Sequence, residues 1–344
     1  MFFARLRKVC GKRAEILQKA RFRRAIRAKE DSEMAVNKNK LSTILCFTVS
    51  IVWGMGFVFL KWANDSGLGS SPSFINLLRF GIAALAYGIF YFKKIRITKE
   101  TIKYCIPAGV LLFTAFMSLT IAQKDADASI CAFLNSLSTV IIPFLSWAIF
   151  KRKPSKFIVV SVILYTVGAL ILSGALTHFD NFRPAALWAI VAAVAFALHY
   201  MVISKALQKI DTHSINFTQF ATVALLSLIG FAAFDHNVDF VVVDWGKAMI
   251  SLVCMGILNT IYAYAVQTYS QQYLYDYQIS LILALENVWA VFFSVILGEE
   301  SFKWETVLGG AIIMAAILFA DVIPSWVEKK TQLKKASAPS DNDT

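Results

Sequence analysis

From Leu41 onward the sequence falls into ten largely apolar stretches of roughly 18 to 23 residues, near 41–62, 73–92, 103–123, 128–150, 157–173, 184–203, 214–233, 247–268, 277–297 and 303–323. A helix rising 1.5 Å per residue needs about 20 residues to cross about 30 Å of hydrocarbon, so each stretch suits one crossing. Helices follow rather than strands, because Leu, Ala, Ile and Phe dominate and because lipid offers no partner for a backbone amide. Interior Gly54, Gly56, Pro107, Pro143, Gly309 and Gly310 then read as kinks or close helix contacts. The expected fold is an all-α polytopic membrane protein with ten transmembrane helices. A soluble helical protein would have to hide helices that are apolar all round, and a chain only 16% charged has little to hide them behind.

The net charge of +12 is concentrated at one end: residues 1–40 carry 13 basic and 4 acidic side chains. Nucleic-acid binding is therefore a poor reading, since the rest of the chain lacks a basic surface to neutralise phosphates. With the N-terminus inside, the inner segments and the tail from 324 to 344 hold 28 basic and 10 acidic residues, and the opposite side holds 5 and 10. The basic excess marks the cytoplasmic face, so both termini are expected there. The leader's charges extend through thirty residues, unlike a secretory signal. It reads as either a basic interfacial helix on anionic lipid or a tail that only reinforces topology. Cys10, Cys46, Cys105, Cys131 and Cys254 are scattered without metal-ligand spacing and behave as small apolar residues.

A weak internal repeat divides the apolar region into halves, 41–173 and 184–323. Ile75-Asn76-Leu77-Leu78-Arg79-Phe80 aligns with Ile215-Asn216-Phe217-Thr218-Gln219-Phe220 at an offset of 140, and Leu137–Ser146 aligns with Leu285–Ser294 at an offset of 148. Five helices per unit force the second copy to insert from the opposite side, so equivalent loops should reverse their charge. They do: Lys151-Arg152-Lys153-Pro154-Ser155-Lys156 corresponds to a loop with Glu299, Glu300, Lys303 and Glu305. The loop at 93–103, with five basic residues, corresponds to one carrying Asp235, Asp239 and Asp244. Two inverted five-helix repeats are expected.

The run Val52-Trp53-Gly54-Met55-Gly56-Phe57, then Leu78-Arg79-Phe80, Asn135–Pro143, Leu285-Glu286-Asn287-Val288 and Gly298-Glu299-Glu300-Ser301 resemble the EamA branch of the drug/metabolite transporter superfamily across about 41–323. Phe150-Lys151-Arg152 stands in the first half where the family often has Gly-Glu. The resemblance implies an inner-membrane carrier or exporter of small metabolites, often amino acids or related compounds. It implies a central cavity between the halves and a proton-coupled or exchange mechanism.

Polar groups at membrane depth are the candidate site. Glu286 lies near the middle of the ninth stretch, where an ionised carboxylate facing lipid costs about 2.5–3.5 kcal/mol or more. It should face the bundle interior or be protonated, either binding an amino group and exchanging a proton or bonding to neighbouring helices. Asn287, Asn135 and Asn259 are candidates for substrate contact or for tying helices together, and Ser138 occupies the position of Glu286 in the first half. Trp53 and Trp289 are expected to line a chamber or to pack. Arg79, about seven residues into its helix, reads foremost as an anchor reaching the outer interface, and otherwise as an anion-binding group. His199 reads as a hydrogen-bonding or interfacial residue rather than a proton relay. Trp245, Trp304 and Trp326 fit an aromatic belt, and the tyrosines from Tyr262 to Tyr277 fit interface and gate packing.

No Walker loop, HExxH or G-x-S-x-G pattern occurs, so no catalytic residue, metal or cofactor is expected. The expected partners are the lipid bilayer and a small-molecule metabolite, with a proton or counter-solute; oligomeric state is open. A channel, a nontransporting membrane partner and an integral-membrane enzyme are the alternatives. Reporter fusions at both ends are expected to report the cytoplasmic face; ends on opposite faces would overturn the ten-crossing arrangement.

Overall fold

The computed structural model describes residues 36–126, 128–151, 153–172, 187–236, 238–299, 301–305 and 307–320. The leader before Val36, the segment between the halves at 173–186, Arg152, Glu300, and the region beyond Ala320 with Trp326 lie outside the described residues. No strand occurs among the described residues. Eight helices are long and apolar enough to span a bilayer: α1 (Val36–Asp65), α2 (Pro72–Tyr91), α3 (Lys99–Asp125), α4 (Ile130–Phe150), α6 (Leu187–Ala206), α7 (Thr212–Ala233), α8 (Trp245–Ser270) and α9 (Asp276–Ile296). Two shorter apolar helices, α5 (Lys156–Leu172) and α10 (Val307–Ala320), complete the two sets of five. The chain is thus a multi-pass, all-α membrane protein. α5 starts late because Pro154 precedes it and Ser155 caps it, accepting from the Ile158 amide.

Helix boundaries follow local chemistry. Pro72 opens α2 behind Ser71, which accepts from the Phe74 amide. Thr98 and Thr101 form a reciprocal capping box at α3. Asp211 and Asp244 cap α7 and α8 through the amides of Ser214 and Lys247. The faces are sorted for lipid. Leu85, Ile163, Leu225 and Ile229 point outward, whereas Ser50, Asn76, Thr120, Gln219 and Thr260 are buried. Polar groups inside and aliphatic groups outside suit a hydrocarbon solvent.

The repeat is visible as equivalent contacts. Asn76 of α2 donates to the Thr120 hydroxyl of α3 (3.2 Å), and Thr120 bonds back to the Phe116 carbonyl. In the second half Thr268 of α8 meets Asn216 of α7 (2.8 Å) and bonds back to the Tyr264 carbonyl. These pairs carry the offsets 140 and 148 seen in the sequence. The same offset relates two helix breaks. α4 is interrupted between Ala128–Asn135 and Leu137–Phe150 at Ser136, and α9 between Asp276–Leu283 and Glu286–Ile296 at Ala284 and Leu285. At the first break the Ser136 hydroxyl donates to the Phe133 carbonyl and the Thr139 amide reaches only three residues back. At the second, Leu285, Asn287 and Val288 likewise bond three residues back, a local 3₁₀ tightening. The first half of each broken helix packs on the second half of the other, so the breaks meet near the centre.

α2 packs along α7, and α3 along α6 and α7. α5 and α10 cross at Gly168 and Gly309, where a Cβ on Gly309 would stand 2.4 Å from the Leu172 nitrogen and 2.5 Å from the Gly168 carbonyl oxygen. After α9, Gly298 takes φ 75° and turns the chain so that Glu299 reaches back to α1. Lys61 Nζ lies 2.8 Å from Glu299 Oε2, and the Trp62 indole donates to Oε1 at 2.7 Å. The Gly-Glu pair recognised in the sequence is thus a left-handed turn followed by a clasp on α1.

Two outcomes are expected. Gly309→Leu forces the α5–α10 backbones apart and should cost about 1–3 kcal/mol, read as a lower melting temperature in detergent, while Gly310→Ala, with its nearest foreign atom at 3.6 Å, should melt as the parent. The Lys61 ammonium beside Glu299 holds its carboxyl below the ordinary carboxylate range. That stabilisation is present above the unfolded-state value of about 4.3 and is lost as pH falls through the folded value, so Glu299→Gln should flatten the acid limb of the melting profile.

Candidate functional site

The two breaks, the middle of α8 and the facing sides of α1, α2, α3 and α6 enclose a cavity of about 80 Å³, enough for several water molecules. Its wall includes Trp53, Arg79, Asn135, Ser138, Asn259 and Glu286, with Phe116, Tyr200 and Tyr264 among the aromatic groups. Both halves contribute, so the site belongs to their interface.

Glu286 stands at the start of the second segment of α9, where the amides of Asn287 and Val288 bond three residues back. A carboxylate is favoured at such an end. Asn135, beside the α4 break, reaches toward it, with Nδ2 3.5 Å from Glu286 Oε1. Asn135 Oδ1 has no hydrogen-bond partner among the described residues. α8 adopts π-helical geometry over Met255–Tyr262, a widening that brings Asn259 onto α1. Asn259 Nδ2 donates to the Val52 carbonyl (2.6 Å), the Trp53 indole donates to the Asn259 carbonyl (3.0 Å), and Asn259 Oδ1 is left without a partner. Close passage of α1 allows this: a Cβ on Gly56 would stand 2.2 Å from Asn259 Nδ2.

Of the residues singled out in the sequence, Glu286, Asn135, Asn259, Trp53 and Ser138 line the cavity; Asn287 and Trp289 do not. Asn287 bonds to the Tyr165 hydroxyl of α5, tying α9 to that helix. One residue on from Glu286, it projects about 100° around the helix. Trp289 packs edge-on against Phe47 of α1, with ring centroids 6.1 Å apart, and against Phe292. Three residues on from Glu286, it is offset by about 60° around the helix, and its ring goes to α1.

Arg79 corrects the expectation of an interfacial anchor. It is 6% exposed and buried against α8, where its Nε donates to Thr260 Oγ1 at 2.9 Å. Its guanidinium carbon lies 4.1 Å from the centre of the Phe116 ring. The depth reading failed because α2 leans along α7 and α8 and turns this position into the bundle. Tyr264, expected in interface and gate packing, is buried and lines the same cavity as Arg79 and Glu286. Tyr200 is buried and lines the same cavity. The ion pairs among the described residues, Lys61–Glu299 and Lys209–Glu100, do not join Arg79 to Glu286. The cavity therefore holds a fixed cationic group and a carboxyl group from the two halves, with aromatic rings in the same wall. His199 is buried and bonded to Gln219 (2.8 Å), away from the cavity wall. Trp245 and Trp304 are exposed, as an aromatic belt requires.

An uncharacterized transporter of Archaeoglobus fulgidus is 26% identical over 274 residues, covering 80% of this chain and 83% of that protein. A solved crystal structure superposes with a TM-score of 0.69 over 82% of this chain and 98% of its own, and at 18% identity that likeness concerns the fold alone. The model of the EamA-like transporter family matches twice, over residues 40–174 and 183–320, which are the two helical halves meeting at the cavity. This chain belongs to the EamA-like transporter family.

Proposed function

We propose that this chain is a secondary transporter, an exporter of a small metabolite such as an amino acid or related compound, working by alternating access. All ten helices cross the cell inner membrane as two inverted repeats, with both termini cytoplasmic. The halves rock about the central cavity, exposing it to one side and then the other. The observation that carries this reading is the position of Glu286: a carboxyl group in a cavity shared by both halves, at a helix break matched by a second break in α4.

Glu286 holds either a proton or the ammonium group of a bound solute, because a second positive charge cannot enter the same low-dielectric position. Loading of an amino compound then releases the proton, and release of the compound allows it to return. Asn135 and Asn259 offer unpartnered side-chain amide oxygens, Oδ1, as further acceptors, and Trp53, Ser138 and Tyr264 shape the wall. Asn287 and Trp289 support α9 from behind. Sealed vesicles containing purified protein provide the test. Glu286→Gln should lower saturable flux of an amino metabolite by about tenfold or more, the worth of one charge-assisted contact, and should abolish its dependence on an imposed pH gradient. Unchanged flux at every pH would remove Glu286 from the mechanism.

A further inference from the structure

We infer that Arg79 is a solute-binding residue that neutralises a carboxylate, so that the exported compound must carry an anionic group as well as an amino group. This rests on the carrier reading and adds a requirement to it. The guanidinium has five N–H donors and cannot shed its charge. Nε is used internally, donating to Thr260, whose own hydroxyl is held by the Met255 carbonyl in the widened turn of α8. One face of the group is covered by Phe116. Among the described residues the two terminal nitrogens have no hydrogen-bond or carboxylate partner, and Arg79 forms part of the cavity wall. What remains is a planar fork, fixed at one edge and stacked on one side, with its free edge available to a planar anion.

The repeat provides an internal control against a purely structural role. The second half has Gln219 at the position of Arg79, within the same local framework of Asn216 and Thr268. Gln219 is fully buried and completes a neutral network, donating to Asn216 (2.9 Å) and meeting His199 (2.8 Å), and it stays outside the cavity wall. A neutral amide therefore satisfies the packing demands of this position. The charge at 79 is surplus to architecture, and in a membrane interior an unpaired cation is retained at a cost. Glu286 is not bonded to it, which leaves a span between two opposite charges rather than a closed ion pair. A bipolar solute would complete both ends.

The test uses full-length protein in sealed vesicles and a panel of α-amino acids, their primary amides and the corresponding decarboxylated amines. The parent should move at least one acid about tenfold faster than its amide and amine, the discrimination expected when a buried charged donor is left unpaired. Arg79→Gln, which installs the residue of the other half, should bring that ratio near one while keeping the melting temperature. Arg79→Lys should retain part of the preference. An unchanged acid-to-amide ratio in folded Arg79→Gln, or a parent that moves only amines, would overturn the role of Arg79 and leave the carrier reading standing. A parent with no saturable flux for any solute would defeat both. If replacing chloride with gluconate abolishes flux of amines and acids alike, a resident chloride rather than the solute is the partner of Arg79, and the inference fails.

Discussion

Charge and unsatisfied backbone cannot face hydrocarbon, and the arrangement of this bundle follows from that constraint. Arg79, Glu286, Asn135 and Asn259 are polar groups on otherwise apolar helices, and each is turned toward the space between the two halves. The helices around them are irregular at the same depth: α4 and α9 break, and α8 widens into a π-helical turn. Irregular backbone in a membrane persists where protein or a polar cavity takes over the freed groups. Here Asn259 Nδ2 takes up the Val52 carbonyl and Thr260 holds Arg79 Nε, while Oδ1 of Asn135 and of Asn259 has no partner among the described residues.

Twofold duplication builds the scaffold, and departures from it create the chemistry. Asn76 with Thr120 and Asn216 with Thr268 tie corresponding helices by corresponding bonds. The breaks at Ser136 and Ala284 are equivalent as well. Yet Ser138 stands opposite Glu286 in the alignment, and Gln219 opposite Arg79. Each half thus contributes one ionisable group that the other lacks. A perfectly repeated site would place like charges together, which a low-dielectric cavity disfavours.

The fold was largely legible in the sequence, since apolar length and the reversal of loop charge report on insertion into lipid and depend little on tertiary contacts. The Gly298-Glu299 pair was legible as a motif, but its clasp on Lys61 and Trp62 was not, because those partners lie more than two hundred residues away. The site was legible in part. Glu286, Asn135 and Asn259 stood out because a polar group at membrane depth needs a partner or a cavity. Asn287 and Trp289 share that depth and neighbourhood, and only the helix phase set by the break separates them from Glu286. Arg79 was misplaced for the converse reason: depth was counted from the start of α2, whereas its environment comes from the lean of that helix against α8.

The position of Tyr264 links these points. It occupies the place in α8 that Phe116 holds in α3, one helical turn before the threonine that joins the neighbouring helix. In the first half the ring is purely apolar and stacks on the guanidinium. In the second half the ring carries a hydroxyl and shares the cavity wall with both charged groups. A direct Arg79–Glu286 bond would have to be broken by every arriving solute, whereas charges that no ion pair joins leave the site ready to bind.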